Sequence, residues 1–347
     1  MGVCPDCLHR EPGRAVEIAL SVHRAHRLAD GLPAAPPKDP GGRPCRLCAN
    51  ECVIGPGGRG YCAVRIHRHG RLTGGTRWAG VSWYHDPLPT NCVADWVCAG
   101  GTGAGHPRWA HRPGPEHGWE NLAVFSHACG FDCAFCQNGD YRRLCLHPVQ
   151  RTPAELAGAV GPATSCICFF GGDPGPQMPA FLRAARLALE RRPGGILRIC
   201  WETNGSCHPA LLEAALNLSL RSGGCVKFDL KAWSPSVHQA LTGADNRRTL
   251  DNIARAARRI PERPIPPPVV VSTLLVPGYV DHREVGRIAR FLAGLDPSIP
   301  YALLAFHPQL YMRDLPPTSR IQAEACVAAA REAGLTRVRV GNEHLLY

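Results

Sequence analysis

LAVFSHACGFDCAFCQNG, residues 122–139, sets an apolar, β-type run directly against three cysteines, Cys129, Cys133 and Cys136, spaced C-x3-C-x2-C. Further apolar runs follow, each leading into a helical pattern. LAVFSH is followed by TPAELAGAV, SCICFF by QMPAFLRAARLALE and ILRICWET by HPALLEAALNL. CVKFDL is followed by RRTLDNIARAARR, PVVVSTLLV by HREVGRIARFLAG, YALLAF by SRIQAEACVAAAREAG, and RVRVG closes the series. Thr152, Pro153 and Glu155 have the order of an N-cap, a first-turn proline and an N3 acid. Phe181, Leu182, Ala185 and Leu189 share one helical face. Alternation of this kind predicts an α/β fold with a mainly parallel sheet under helices. About six units predict a partial TIM-type (β/α)6 barrel over residues 120–347.

Barrel chemistry gathers at the carboxyl ends of the strands. Here the first strand leads into the cysteine triplet and SCICFF into GGDP, Gly171 to Pro174. ILRICWET ends on Glu202 and Asn204, and CVKFDL on Asp229 and Lys231. PVVVSTLLV runs on to Asp281, and YALLAF to His307 and Pro308. Six strands ending in polar or Gly-Pro chemistry on one rim exceed what folding alone requires.

Three thiolates can hold three corners of a four-iron cluster and leave the fourth open. An open metal position separates catalytic sites from closed structural ones. Phe131 and Phe135 stand between the ligands and would shield a cluster from water. The spacing alone also admits a structural zinc site, with His127 or Cys145 as the distant fourth ligand.

In their order, CGFDCAFC, GGDP, ETNG, DLK and FHP resemble the radical S-adenosylmethionine (SAM) superfamily. The closer resemblance is to its pyruvate formate-lyase-activating-enzyme-like branch, and within that to the AmmeMemoRadiSam-system radical SAM proteins. It covers about residues 42–347 and includes CRLCANECVIGPGGRGYCAVR, CQNG, DLKAWSPSVHQALTGADNRRTLDNI and VRVGN. The resemblance implies a [4Fe–4S] cluster on Cys129, Cys133 and Cys136, with SAM on the fourth iron. It further implies reductive cleavage of SAM to a 5′-deoxyadenosyl radical that takes hydrogen from an unidentified substrate. GGDP stands where the family has GGEP, so Gly171, Gly172 and Asp173 are expected beside the methionine part of SAM, with two glycines permitting close backbone approach. Phe135, Glu202, Asn204, Asp229, Lys231 and His307 complete the expected cofactor-binding set. Lys231 is pointed because the chain has only three lysines among 39 basic residues, and an arginine fork does not replace an ammonium freely.

Cys45, Cys48, Cys52 and Cys62 form a second group, C-x2-C-x3-C-x9-C. Four thiols so close, with glycines to turn the chain, predict a closed site for zinc or an auxiliary iron–sulfur cluster. Two more pairs, Cys4 with Cys7 and Cys92 with Cys98, suggest a further four-cysteine site. Cys145, Cys166, Cys168, Cys200, Cys207, Cys225 and Cys326 fall in apolar segments and read as buried small hydrophobes. These groups divide the chain into residues 1–44 (a helix over about 14–29 and a Pro-rich linker), a Cys-, Gly- and Pro-rich domain over 45–119, and the barrel. Residues 71–119 are expected to be mostly loop with a few short strands.

The formal charge is +11, but the arginines are scattered and no basic run carries interleaved aromatics, so nucleic acid is not an expected partner. No apolar run reaches the ~18 residues of a membrane span, and MGVCPDCLHR lacks the pattern of a secretory signal. A grouped set of cysteines without an export signal points to a reducing, cytoplasmic setting. The expected partners are a low-potential electron donor of flavodoxin or ferredoxin type and a substrate protein, peptide or small molecule. Two other functions stay open: a glycyl-radical enzyme activating enzyme, and a zinc-binding module without catalysis.

Overall fold

A computed structural model describes residues 2–347. The chain opens with α1 (Pro5–Arg10) and α2 (Pro12–Ala29). Helix α2 turns Ala15, Ala19, His23 and Arg27, one residue every fourth, into the protein. Two small hairpins follow: β1 (Arg43–Pro44) with β2 (Val53–Ile54), and β3 (Ile66–Arg68) with β4 (Arg71–Thr73). They frame the Cys45–Cys62 group.

Next comes β5 (Ala79–Pro87), then α3 (Ala99–Thr102), β6 (Glu120–Ser126), α4 (Tyr141–Leu144), β7 (Gln150–Arg151) and α5 (Pro153–Gly158). The expected capping box of Thr152 and Glu155 is formed. The remaining elements alternate as the sequence predicts: β8 (Thr164–Gly171), α6 (Met178–Glu190), β9 (Arg198–Thr203), α7 (Pro209–Ser222) and β10 (Val226–Asp229). Then come α8 (Pro235–Thr242), α9 (Arg247–Ala257), β11 (Val269–Leu275), α10 (His282–Leu295), β12 (Tyr301–Ala305), α11 (Arg320–Glu332) and β13 (Val338–Gly341).

Nine strands make one sheet in the order β13-β12-β11-β10-β9-β8-β6-β5-β7. Neighbours from β6 to β13 are parallel, while β5 lies antiparallel against β6 and β7. The edges β13 and β7 do not pair, so the sheet is an open, partial barrel. The nine-residue β5 falls in the stretch read as mostly loop. Its alternation is masked by Gly80, His85 and Pro87, and its outer half is solvated.

Strand pleating sends alternate side chains to opposite faces. Phe169, Trp201 and Phe228 point outward to the helices. Trp201 stacks on Phe169 with centroids 4.4 Å apart and donates its indole N–H to the Ala215 carbonyl of α7. Such aromatic pairs anchor the helix layer. Cys168, Cys200, Glu202, Lys227 and Asp229 take the opposite phase and line the barrel interior. No helix among the described residues is long and apolar enough to cross a membrane.

Candidate active site

At the carboxyl ends of the strands lies a cleft of about 850 Å³. Cys129, Cys133, Cys136 and Phe135 form one wall, Gly171 and Gly172 another, and Glu202, Asn204, Asp229 and Lys231 the floor and far side. Eight of the nine residues expected to contact SAM or to supply its surroundings are thus brought to one cleft or its immediate backing. Asp173 is the one that stands behind the wall; its carboxylate accepts from the Thr203 hydroxyl at 2.7 Å and the Asn204 and Gly175 N–H groups at 3.0 and 2.9 Å. Burial raises the Asp173 pKa to about 6 against the pull of these donors. His307 is the ninth expected residue; it is exposed and lies outside the cleft lining, where Leu274 and Leu304 are found instead.

The glycines have a reason the sequence did not reveal. Gly171 has φ +100, and a Cβ there would come within 2.8 Å of the Ser126 nitrogen. At Gly172 a Cβ would lie 2.3 Å from the Ala128 carbonyl oxygen. The turn must therefore press against the strand that carries the cysteine loop, whatever else it contacts. Gly172 N–H donates to the Ser126 carbonyl at 3.0 Å, and Asn138 donates to the Gly171 carbonyl at 3.0 Å.

The cysteine loop is held by a charge hub that sequence reasoning missed. Asp132, between two of the ligand cysteines, is fully buried; its carboxylate meets His23 Nδ1 at 2.8 Å, Arg27 Nη1 at 3.3 Å and the Arg142 guanidinium. Its backbone N–H donates to the Thr242 carbonyl. Arg27 also stacks on the Tyr61 ring and donates to the Tyr61 carbonyl, so one hub ties α2, the Cys45–Cys62 segment and the loop together. An acid at an apolar, ligand-flanked position was the available signal. Burial opposes the charged form of Asp132, but His23, Arg142 and Arg27 outweigh it and lower its pKa.

Burial raises the pKa of all three cleft thiols, most visibly at Cys129 and Cys133. Lys231 offsets this at Cys133 and Cys136. Lys231 itself pairs with Asp229 and lies 5.4 Å from the Phe135 ring centroid. Burial would lower its pKa, but Asp229 and Cys133 raise it, so the ammonium stays charged. Phe131 N–H donates to Cys129 Sγ at 3.3 Å. His127 and Cys145 are engaged elsewhere, with Ser82 and with the Arg142 carbonyl. His238 and Asn246 serve the chain itself, bonding to the carbonyls of Ala244 and of Ala232 and Trp233.

Among the described residues no three or more His, Cys, Asp or Glu side chains converge on one ion position. Three thiols spread along a wall suit a polynuclear cluster, in which each iron takes its own thiolate. Asp229 also keeps a buried carboxylate oxygen without a hydrogen-bond partner at the cleft, a ready acceptor for a cationic or hydroxyl group. The residues present fit a thiolate-held cluster with a polar ligand beside it.

Cys45, Cys48, Cys52 and Cys62 are all buried in one knuckle. Cys48 pairs in a β-bridge with Cys207 and lies close to Gly130, so the knuckle packs directly on the cysteine loop. Cys4 and Cys7 contact each other on α1, Sγ to Sγ 3.2 Å. Cys92 and Cys98 pack instead with Cys200 and Cys225.

Partial barrel, mouth thiols and Gly-Gly turn together define an α/β domain with a thiol-lined cleft at the strand ends. Residues 123–292 match the family model described as the Radical SAM superfamily, so this part of the chain is a radical SAM domain. Its family cofactors are a [4Fe–4S] cluster and SAM. The chain is 35% identical over 140 residues to an isethionate sulfite-lyase activating enzyme of Desulfovibrio desulfuricans, covering 40% of each chain. It is 32% identical to a protein of the same name from Oleidesulfovibrio alaskensis, over 52% of this chain and 55% of that one. The match thus spans about half the length of these curated relatives. Among solved structures, a radical SAM methyltransferase from Sphaerobacter thermophilus is 18% identical, with a TM-score of 0.49 over 64% of this chain and 66% of that one.

Proposed function

We propose that the cleft binds SAM beside a [4Fe–4S] cluster held by Cys129, Cys133 and Cys136. When bound, these cofactors supply reductive cleavage of SAM to methionine and a 5′-deoxyadenosyl radical that takes a hydrogen atom from a substrate. The observation that carries this reading is the convergence of the three thiols with Lys231 and the unpartnered oxygen of Asp229 on one cleft. Lys231 pairs with the carboxylate of SAM, and Asp229 accepts from its amino group or a ribose hydroxyl. Glu202 is the second acid within reach of the ribose. Phe135, Leu274 and Leu304 keep water from the reacting atoms. Asp173 and Thr203 hold the Gly-Gly turn and Asn204 in place. Electrons come from a small low-potential donor protein of flavodoxin or ferredoxin type.

The relatives are named as activating enzymes of another enzyme, which favours a partner protein as the substrate; with a backbone glycine as the hydrogen donor this would be a glycyl-radical activating enzyme. The test is direct. Reconstituted, reduced protein with SAM is expected to release 5′-deoxyadenosine, and protein with a complete cluster that never does so would falsify the proposal. Incubation with a candidate glycyl-radical enzyme should then give the doublet EPR signal of a glycyl radical; its absence with an otherwise turning-over enzyme would turn the substrate search to peptides and small molecules.

A further inference from the structure

A second chamber lies at the other end of the barrel, beneath Glu202. Sheet register builds it. Cys168 pairs with Cys200 across β8 and β9. Trp201 pairs with Val226, which sets Cys225, one residue earlier, beside Cys200. Three thiols therefore stand in one row on three neighbouring strands, facing inward. The segment after β5 folds across the base and adds Cys92 and Cys98, which pack with Cys200 and Cys225. A buried ion pair fastens this segment: Arg198 of β9 meets Glu116 at 2.5 Å and donates to the Trp109 carbonyl.

Folding alone does not account for this content. Lys227, one of three lysines in the chain, is fully buried here, and its ammonium donates to Cys92 Sγ and Cys168 Sγ at 3.0 Å each. Its carboxylate partner, Glu202 at 3.2 Å, is a third exposed and belongs to the cleft above. Two of the contacts of this buried cation are therefore to sulfur, and its one carboxylate is partly solvated, so negative charge on the sulfur side would stabilise it further. Thiolates of a metal cluster provide that charge permanently. Four thiols, Cys92, Cys98, Cys200 and Cys225, share one packed cluster on this chamber, the number that a closed iron–sulfur cluster takes.

We propose that this chamber holds a second, thiolate-bound iron–sulfur cluster, with Cys92, Cys98, Cys200 and Cys225 as ligands and Lys227 as its counter-ion. It is separate from both the mouth triplet and the Cys45–Cys62 knuckle, and it stands whether or not the SAM reading holds. The test compares iron and acid-labile sulfide in anaerobically reconstituted full-length protein with C92S/C98S and with C200S. Both variants are expected to lose about four irons and four sulfides per chain. C166A, a chamber thiol outside the ligand set, is expected to keep them. Unchanged iron in both cysteine-to-serine variants, or zinc in place of iron, overturns the proposal. The wild-type protein supplies a second readout should the variants not fold. Cys92 and Cys98, which are only partly buried, are expected to resist alkylation until cluster iron is stripped with a chelator. Equal labelling before and after stripping overturns the proposal as well.

Discussion

The two ends of the barrel collect cysteines in opposite ways. At the mouth, Cys129, Cys133 and Cys136 lie within eight consecutive residues on one loop, and the motif is visible in the bare sequence. At the base, Cys92, Cys98, Cys168, Cys200 and Cys225 are spread over more than a hundred residues and meet only through strand register. A loop writes a site locally, while a sheet writes it in the third dimension. The neighbouring charges differ too. Lys231 at the mouth pairs with Asp229 on its own strand end, whereas Lys227 at the base divides its ammonium between Glu202 and two sulfurs.

The mouth should break completely with one atom. Cys133→Ala is expected to abolish 5′-deoxyadenosine release, at least a thousandfold below wild type on the order of the cost of losing a reaction's essential group, and liquid chromatography of the products checks it. A base variant such as C92S/C98S is expected to keep measurable SAM cleavage, which sharpens the contrast.

Next in size is the hub that locks the mouth loop. Asp132→Asn leaves Arg27 buried without its counter-charge and Arg142 with Asp30 alone, and is expected to cost about 3–5 kcal/mol, read by chemical denaturation. The pH response follows from the lowered Asp132 pKa. A depressed folded value means that the carboxylate's contribution is complete above the ordinary range near ~3.9 and is lost as pH falls through the folded value. Wild type should therefore lose stability on acidification below about pH 4 more steeply than Asp132→Asn; parallel acid-denaturation curves would contradict the hub.

Gly172→Ala sets a methyl group against the Ala128 carbonyl, one residue before the first ligand. Overpacking of this kind costs about 1–3 kcal/mol, and the variant is expected to lose mouth iron as well as thermal stability. Lys231→Met should weaken SAM binding about 10- to 100-fold, the worth of a hydrogen bond to a charged group, measured by equilibrium binding to cluster-loaded protein. Lys231→Arg should restore it only in part, since the planar fork needs a different geometry. The smallest effect is expected from Cys48→Ala in the knuckle, with lowered stability and retained SAM cleavage, followed by thermal melting and product assay.

Much of the fold was legible because six of the seven parallel strands carry an apolar run with a helical pattern behind it. β5 was not, because its glycine, histidine and proline disguise an edge-like strand that is half solvated. Of the mouth, the cysteines, Gly171, Gly172, Glu202, Asn204, Asp229 and Lys231 could be read from strand ends alone. What Asp173 and the glycines contact could not, since their partners, Thr203, Ser126 and Ala128, come from other strands. His307 follows its strand as expected, yet Leu304, three residues earlier, reaches the cleft instead. Cys168, Cys200 and Cys225 read individually as small hydrophobes, Cys92 and Cys98 read as a pair to be joined with Cys4 and Cys7, and no spacing rule relates Cys98 to Cys225.

On the proposed reading the mouth thiols leave one metal position open for SAM. Low-temperature EPR of the reduced, reconstituted protein, recorded with and without SAM, tests it most directly. The spectrum is expected to shift on adding SAM, with the same shift in C92S/C98S and none in Cys133→Ala. A spectrum from fully loaded protein that SAM leaves unchanged would contradict it.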